Sequence, residues 1–337
     1  MNKEITTTER LLDERGNLLT AGYARHFNFI YDKKQTKLPH LRLKEWDFYQ
    51  VHFDDRYALL LTFGHLTYAG QISAILLDLK TGQKREFSQV MMPCPRAIRN
   101  VMPTNPEEPN KITYNGSNVH VQFETTEKYR LLCMTASDYR GVKAEITLTL
   151  TNVSKTKDKM VIATPFYEKR RWYLNYKENC FVVNGHARIE DVAYDIKDGF
   201  GLIDWGRGVW TYKHQWIWGN GGTVVNGKHF GFNIGWGFGN TEAATENMFF
   251  YDNKAYKLNE VKEIAVGNNF RYEDDEGRFE FDVEMLFDNH TRTKVLWVNN
   301  ECHQRFGIWR GRVKLDDGTV VEVPPFVAFC EHANNRW

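Results

Sequence analysis

The sequence predicts an all-β protein, a meander of antiparallel hairpins, and three observations predict it. Apolar and polar residues alternate with period 2 in several stretches. Five Asn-Gly or Asp-Gly pairs, at 115–116, 184–185, 198–199, 226–227 and 317–318, can each supply the positive φ of a tight hairpin turn. No convincing 3.6-residue apolar period lasts beyond about three turns. Closing such a meander removes its exposed edges, so antiparallel β-barrels are the expected outcome. With 337 residues, two barrels in tandem fit better than one. The division is placed near Asn184-Gly185, giving an N-terminal unit 1–185 and a C-terminal unit 186–337 that carries the aromatic stretch described below.

Residues 1–25 are polar and read as peripheral, with at most one helical turn from Thr8 to Asp13. In Lys44–Val51, Trp46, Phe48 and Gln50 share one strand face while Asp47, Tyr49 and Val51 share the other. Tyr57 to Phe63 is almost continuously apolar, a strand covered on both faces, and Gln71 to Leu79 reads as another. Residues 91–110 hold five of the nine prolines and cannot be a central strand. They form an irregular connection, either a surface loop or a flap over a barrel mouth. Clean alternation returns at 119–124, 142–151 and 279–288, and Val321 and Val323 flank Glu322 near the end.

Net charge is +1, so there is no electrostatic case for nucleic acid as a partner. The five cysteines are odd in number and scattered, which favours reduced thiols in a cytoplasm. The first sixteen residues contain no apolar signal-peptide core, and no apolar run is long enough to span a membrane. The eleven histidines make no H-x-H or H-E-x-x-H pattern, so no metal site is expected. There is no phosphate-binding loop and no G-x-S-x-G, so no cofactor is expected either.

Residues 201–251 hold five of the ten tryptophans: Trp205, Trp210, Trp216, Trp218 and Trp236. If 210–218 is a strand, Trp210, Tyr212, His214, Trp216 and Trp218 share a face. Such a face suits a cavity wall, where each ring buries its body and its polar tip finds a partner; an aromatic core between sheets is the alternative. In 230–238, Phe230, Phe232, Ile234, Trp236 and Phe238 oppose Gly231, Asn233, Gly235 and Gly237. A glycine face means close approach, by a neighbouring side chain or by a ligand. Asn233 would then point inward and need partners. Asp204 is either an ion-pair partner of Arg207 or a pocket acid. Glu246 either ends a strand in solvent or points into the cavity, with Asn247 beside it.

Several segments resemble a bacterial family known only as domain of unknown function 2804. They are Lys44-Glu45-Trp46-Asp47-Phe48-Tyr49, Asp204 through Trp210, Trp216-Ile217-Trp218, Asn233, Thr245-Glu246-Asn247 and the ending Glu331-His332 through Trp337. More distantly, the chain is similar to the lipocalin-like group of carotenoid hydratase (hydroxyneurosporene synthase) and tocopherol cyclase. That similarity implies two calycin-type barrels. Ile203-Asp204-Trp205-Gly206 stands where that group has a Trp-Met-Asp-His motif, with Asp204 matching and Trp205 in place of the histidine. The implied function is binding of an apolar or amphipathic small molecule, lipid or isoprenoid-like, in an aromatic-lined pocket. Acid-catalysed hydration or cyclisation of an alkene would use Asp204 and Glu246 as acid and base and His214 to orient water. Trp205, Arg207, Trp210, Tyr212, Trp216, Trp218, Asn233, Trp236 and Asn247 would contact the ligand. The alternative is a carbohydrate-binding or glycan-processing protein using Trp platforms and paired carboxylates.

Overall fold

A strand that is apolar on both faces needs cover on both sides. The chain provides it by curling each of two antiparallel sheets around its own core and packing the two sheets against each other. The structure is a computed structural model that describes residues 2–37, 42–138, 140–295 and 298–336; Trp337 of the family-like ending lies outside them. The first sheet runs in the order Gln83–Met91, Gly70–Asp78, Tyr57–His65, Leu43–Phe53, Val192–Val209, Trp172–Ile189, Lys143–Thr151, Arg130–Ser137, Val119–Thr125, Asn110–Asn115. Met160–Pro165 and Gly22–Ala24 extend it beside Trp172–Ile189. The second runs Lys254–Lys257, Met248–Tyr251, Lys228–Trp236, Lys213–Val225, Val320–Arg336, Val298–Lys314, Phe279–Val295, Asn269–Asp274, Val261–Val266. Each is a curled half-barrel, which agrees with the two tandem barrels expected.

Alternation sorts the strands between the two environments. Tyr49, Val51, Leu59, Leu61 and Trp205 face the interior of the first half-barrel, and Phe230, Phe232, Phe281 and Trp309 that of the second. Leu60, Leu77, Leu202, Trp218, Phe306 and Phe329 form a third cluster between the sheets. Phe287 joins that third cluster although its sequence phase matches Phe279, Phe281 and Val283. A bulge between Met285 and Phe287 inserts one residue and reverses the alternation.

The change of sheet falls between Val209 and Lys213, not at Asn184-Gly185. Two of the five turn-like dipeptides are bulges, not turns. Trp172–Ile189 and Val192–Val209 form one long hairpin, and its register shifts between Val183 and Gly185. Asn184-Gly185 and Asp198-Gly199 lie across from each other at that shift, with φ of 148° at Gly185 and 49° at Asp198. The positive φ that reads as a turn in the sequence instead bends the strands and helps curl the sheet. Asn226-Gly227 is a true turn, with φ of 53° and 73°.

Residues 2–25 are not peripheral. Glu9–Arg10 pairs in parallel with Phe29–Ile30 where a helical turn was expected, and Leu11 and Leu12 are buried in the first core. The proline-rich connection contains a short helix, Arg96–Val101, and buries Cys94, Ile98 and Met102 in that same core. Two interior arginines hold it: Arg207 donates to the Pro103 carbonyl at 3.0 and 3.2 Å, and Arg130 to the Pro106 carbonyl at 2.8 Å. Arg207 also donates to Asp47 at 2.9 Å, lies 3.8 Å from a Glu45 oxygen and stacks 3.9 Å over Trp205. Removing its guanidinium strands the buried Asp47 carboxylate, while Glu45 keeps Lys33 and His65. Arg207→Ala is expected to lower stability by about 3–5 kcal/mol, measured as a loss of unfolding free energy in urea.

Candidate functional site

Between the two sheets lies a cavity of about 300 Å³. Its first-sheet wall comes from Trp46 and Phe48, Leu60 and Thr62, Gln71 and Ile75, Tyr173 and Lys177, and Asp204, with Trp210 just past the strand end. The second sheet supplies Trp216 and Trp218, Asn289 and Thr291, Cys302 and Gln304, and Glu331, while Phe238 and Glu246 come from the connection after Trp236. The rings form a continuous wall. Trp46 stacks on Tyr173 with centroids 5.8 Å apart, and Trp210 meets Trp46, Trp216 and Phe238 edge-on at 5.0, 6.0 and 4.9 Å. Glycine makes room for it: a Cβ on Gly206 would stand 1.9 Å from the Trp46 ring.

The polar groups converge on Lys177. Its ammonium donates to Glu246 Oε2 at 2.6 Å and lies 4.3 Å from the Trp218 ring centre. Asp204 accepts from Asn175 Nδ2 at 2.5 Å, and burial raises its pKa against the pull of Lys177. Glu331 accepts from Trp216 Nε1 at 2.7 Å. Burial pushes its carboxyl up to about 7, with Trp216 and Lys177 favouring the charge and Asp204 opposing it. The cavity thus presents one ammonium, one carboxylate bound to it, and two carboxyls biased towards their neutral forms.

Buried amides hold this arrangement in place. Asn233 accepts from Trp218 Nε1 at 2.8 Å and donates to the Glu246 carbonyl at 2.8 Å and to its carboxylate at 3.2 Å. Asn220 donates to Asn233 at 3.2 Å and accepts from Asn179 at 2.7 Å, which links the two sheets. Gly235 explains the glycine face: a Cβ there would lie 2.2 Å from Glu246 Oε1, so the close approach is by a neighbouring side chain.

Of the residues singled out in the sequence, Asp204, Glu246, Trp210, Trp216 and Trp218 line the cavity. Asn233 lies behind it and positions Trp218 and Glu246. Asn247 is an anchor as well, accepting from the Gly235 N–H at 2.7 Å and donating to the Asn259 carbonyl at 2.8 Å. Five others do not line it. Trp205 and Arg207 face the first core, because period 2 in a strand sends residues 204 and 207 to opposite sides. The Asp204–Arg207 ion pair is therefore absent; Arg207 pairs with Asp47. Tyr212 precedes the strand, which begins at Lys213, and stands against Arg42. His214 packs behind Trp210 and Trp216, and burial lowers its pKa to about 4. Trp236 packs on the second core. Lys177, Glu331, Tyr173 and Phe238 also line the cavity and were not among the site residues expected from the sequence. A signal existed for three of them. Tyr173, Asn175, Lys177 and Asn179 make a polar-tipped face within an apolar strand, and Val327, Phe329 and Glu331 end an apolar face on a carboxylate.

A second cavity, about 400 Å³, opens between the sheets near residues 54–56. Of its charged residues, Asp54, Asp55, Lys197 and Asp198 are exposed on the rim, and Arg56 is paired with Asp78.

These features define a two-sheet, lipocalin-like β protein with a polar-tipped aromatic cavity between its sheets. The chain belongs to the domain of unknown function 2804 (DUF2804) family, whose model matches residues 2–337. No curated protein matches it. Among solved structures it is similar in fold to kievitone hydratase from Nectria haematococca, at 10% identity and a TM-score of 0.55, over 98% of each chain. A protein provisionally named ATTH from Nitrosomonas europaea matches at 10% identity and a TM-score of 0.43, over 90% of this chain and 95% of that one. No helix among the described residues is long and apolar enough to cross a membrane.

The raised pKa of Glu331 has a signed consequence. A carboxyl that titrates near 4.5 when unfolded and near 7 when folded favours folding while neutral. Its stabilisation is full below pH 4.5 and is lost as the pH rises through 7. Glu331→Gln is expected to flatten the stability profile across that window, measured by urea unfolding at stepped pH. Wild-type tryptophan emission should titrate near pH 7 through Trp216, and the variant's should not.

Proposed function

We propose that the protein binds an apolar or amphipathic small molecule in the cavity between its sheets and adds water across a carbon–carbon double bond of that molecule. The observation that carries this reading is the placement of two carboxyls of raised pKa, Asp204 and Glu331, against a wall of indole rings. Burial that raises a carboxyl's pKa favours its role as a proton donor.

In this reading Asp204 donates its proton to one alkene carbon, and the π pair forms the new C–H bond. The other carbon becomes cationic and is stabilised by the faces of Trp210, Trp216 and Trp218. Water adds its oxygen to that carbon. Glu331, ionised in part near pH 7, takes the proton that water releases. That proton returns to Asp204, so the sum is one H and one OH added to the substrate. Glu246 stays paired with Lys177 and balances its charge, so it is not the base. His214 lies outside the cavity lining and plays no part in orienting water.

The fold likeness to a hydratase supports this reading as an analogy of scaffold, and the cavity supplies the chemistry. The aliphatic patch of Leu60, Leu66 and Ile75 disfavours a glycan, whose hydroxyls would meet no partners there. All five cysteines are unpaired, which supports a reducing compartment such as the cytoplasm.

The test is a thermal-shift screen of isoprenoid alkenes, fatty acids and oligosaccharides, followed by turnover in D2O. The reading expects an alkene to stabilise the protein and to emerge as an alcohol with deuterium on carbon. Asp204→Asn should keep the shift and lose turnover by about 10²-fold or more. Stabilisation by oligosaccharides alone would favour the glycan alternative.

A further inference from the structure

A metal site can hide from linear motifs when its ligands meet across a strand pair. The ladder between Phe279–Val295 and Val298–Lys314 sets His290 directly opposite His303. Their rings lie parallel, 5° apart in plane, with centroids separated by 4.0 Å. Glu301 is two residues from His303 on the same strand face, and its Oε1 lies 3.2 Å from His290 Nε2. Asp288 is two residues from His290, and its Oδ2 lies 2.7 Å from His303 Nδ1. One nitrogen of each histidine and one oxygen of Glu301 all fall within 4.8 Å of one another. The side chains are 32–45% exposed, so an ion can reach them from solvent.

We propose that His290, His303 and Glu301 bind a divalent transition-metal ion of the zinc class, with Asp288 orienting His303. Two imidazoles and a carboxylate suit such an ion; because the rings are stacked, one of them turns about its side-chain torsions on binding so that both lone pairs meet the ion. Ligand atoms at 2.0–2.1 Å around a tetrahedral ion stand about 3.3 Å apart, close to the 3.2 Å between His290 Nε2 and Glu301 Oε1. A hydrogen bond from His303 Nδ1–H to Asp288 leaves Nε2 as the metal-binding lone pair, the usual outer-sphere device of zinc histidines. Three protein ligands leave a fourth position for water. The other cluster of comparable make-up, Glu263, Cys330 and His332, is already occupied by a cation: the Arg305 guanidinium contacts both Glu263 and His332.

The site lies on the opposite face of the sheet from the cavity. Thr291 and Cys302, the next pair along the ladder, line the cavity. A bound ion would pin the two strands together behind that wall.

The experiment is calorimetric titration of tag-free, metal-stripped protein with zinc chloride. One saturable ion per chain is expected. His290→Ala and His303→Ala should each weaken binding at least tenfold, Asp288→Asn should weaken it less, and His332→Ala should leave it unchanged. Zinc should raise the melting temperature of the wild type and not that of the His290→Ala/His303→Ala double variant. Because these side chains are partly exposed, the variants should melt like the wild type without zinc. The proposal is overturned by the absence of saturable uptake, by wild-type affinity in a normally folded double variant, or by loss of binding in His332→Ala. None of these outcomes bears on the cavity, since no ligand is present in the titration.

Discussion

An ammonium ion caught between two packed sheets has to be neutralised where it lies, and Lys177 is that ion. Its position accounts for much of what surrounds it. Glu246 reaches in from a connection to pair with it. Gly235 lacks a Cβ because Glu246 occupies the space. Asn233 holds both Glu246 and Trp218, whose ring lies against the ammonium. Asn220 and Asn179 carry the same hydrogen-bond network across to the first sheet. With Glu246 committed to the lysine, Asp204 and Glu331 have no full counter-ion, and burial dominates their titration.

The strand Val192–Val209 serves two chemistries through one alternation. Its odd residues, Trp205 and Arg207, enter the first half-barrel, where Arg207 meets Asp47 and holds the proline-rich segment over the core. Its even residues face the second sheet, where Asp204 enters the cavity and Gly206 makes room for Trp46. Interior charge here is paired and structural, whereas cavity charge is left partly unpaired. That contrast separates a carboxyl able to move a proton from one that holds a loop.

Local pattern was enough to read the β class, most strand positions and the shared face of Trp216 and Trp218, whereas Trp210 lies past the end of the preceding strand. Those features depend on period 2 and on ring chemistry, both of which a single strand carries. What was illegible depends on pairing. Asn184-Gly185 and Asp198-Gly199 carry the residues of turns, and only the register of the partner strand makes them bulges. The bulge near Phe287 sends that ring to the opposite face from the one its phase suggested. Asp204 and Arg207 looked like a possible ion pair because the strand that carries both, Val192–Val209, was not read from the sequence. Lys177 and Glu331 come from strands far apart in sequence, and nothing local announces that they share a cavity. The same holds for His290 and His303, which no H-x-H pattern reveals.

The cavity is the centre of this account, and mass spectrometry of organic extracts tests it most directly. The native protein and Trp216→Ala would be purified side by side and extracted. An isoprenoid or lipid that is retained by the native protein and missing from the variant is the predicted result. Indistinguishable extracts, whether empty or carrying the same lipid, would contradict the cavity as a ligand site and leave its aromatic wall as packing between sheets.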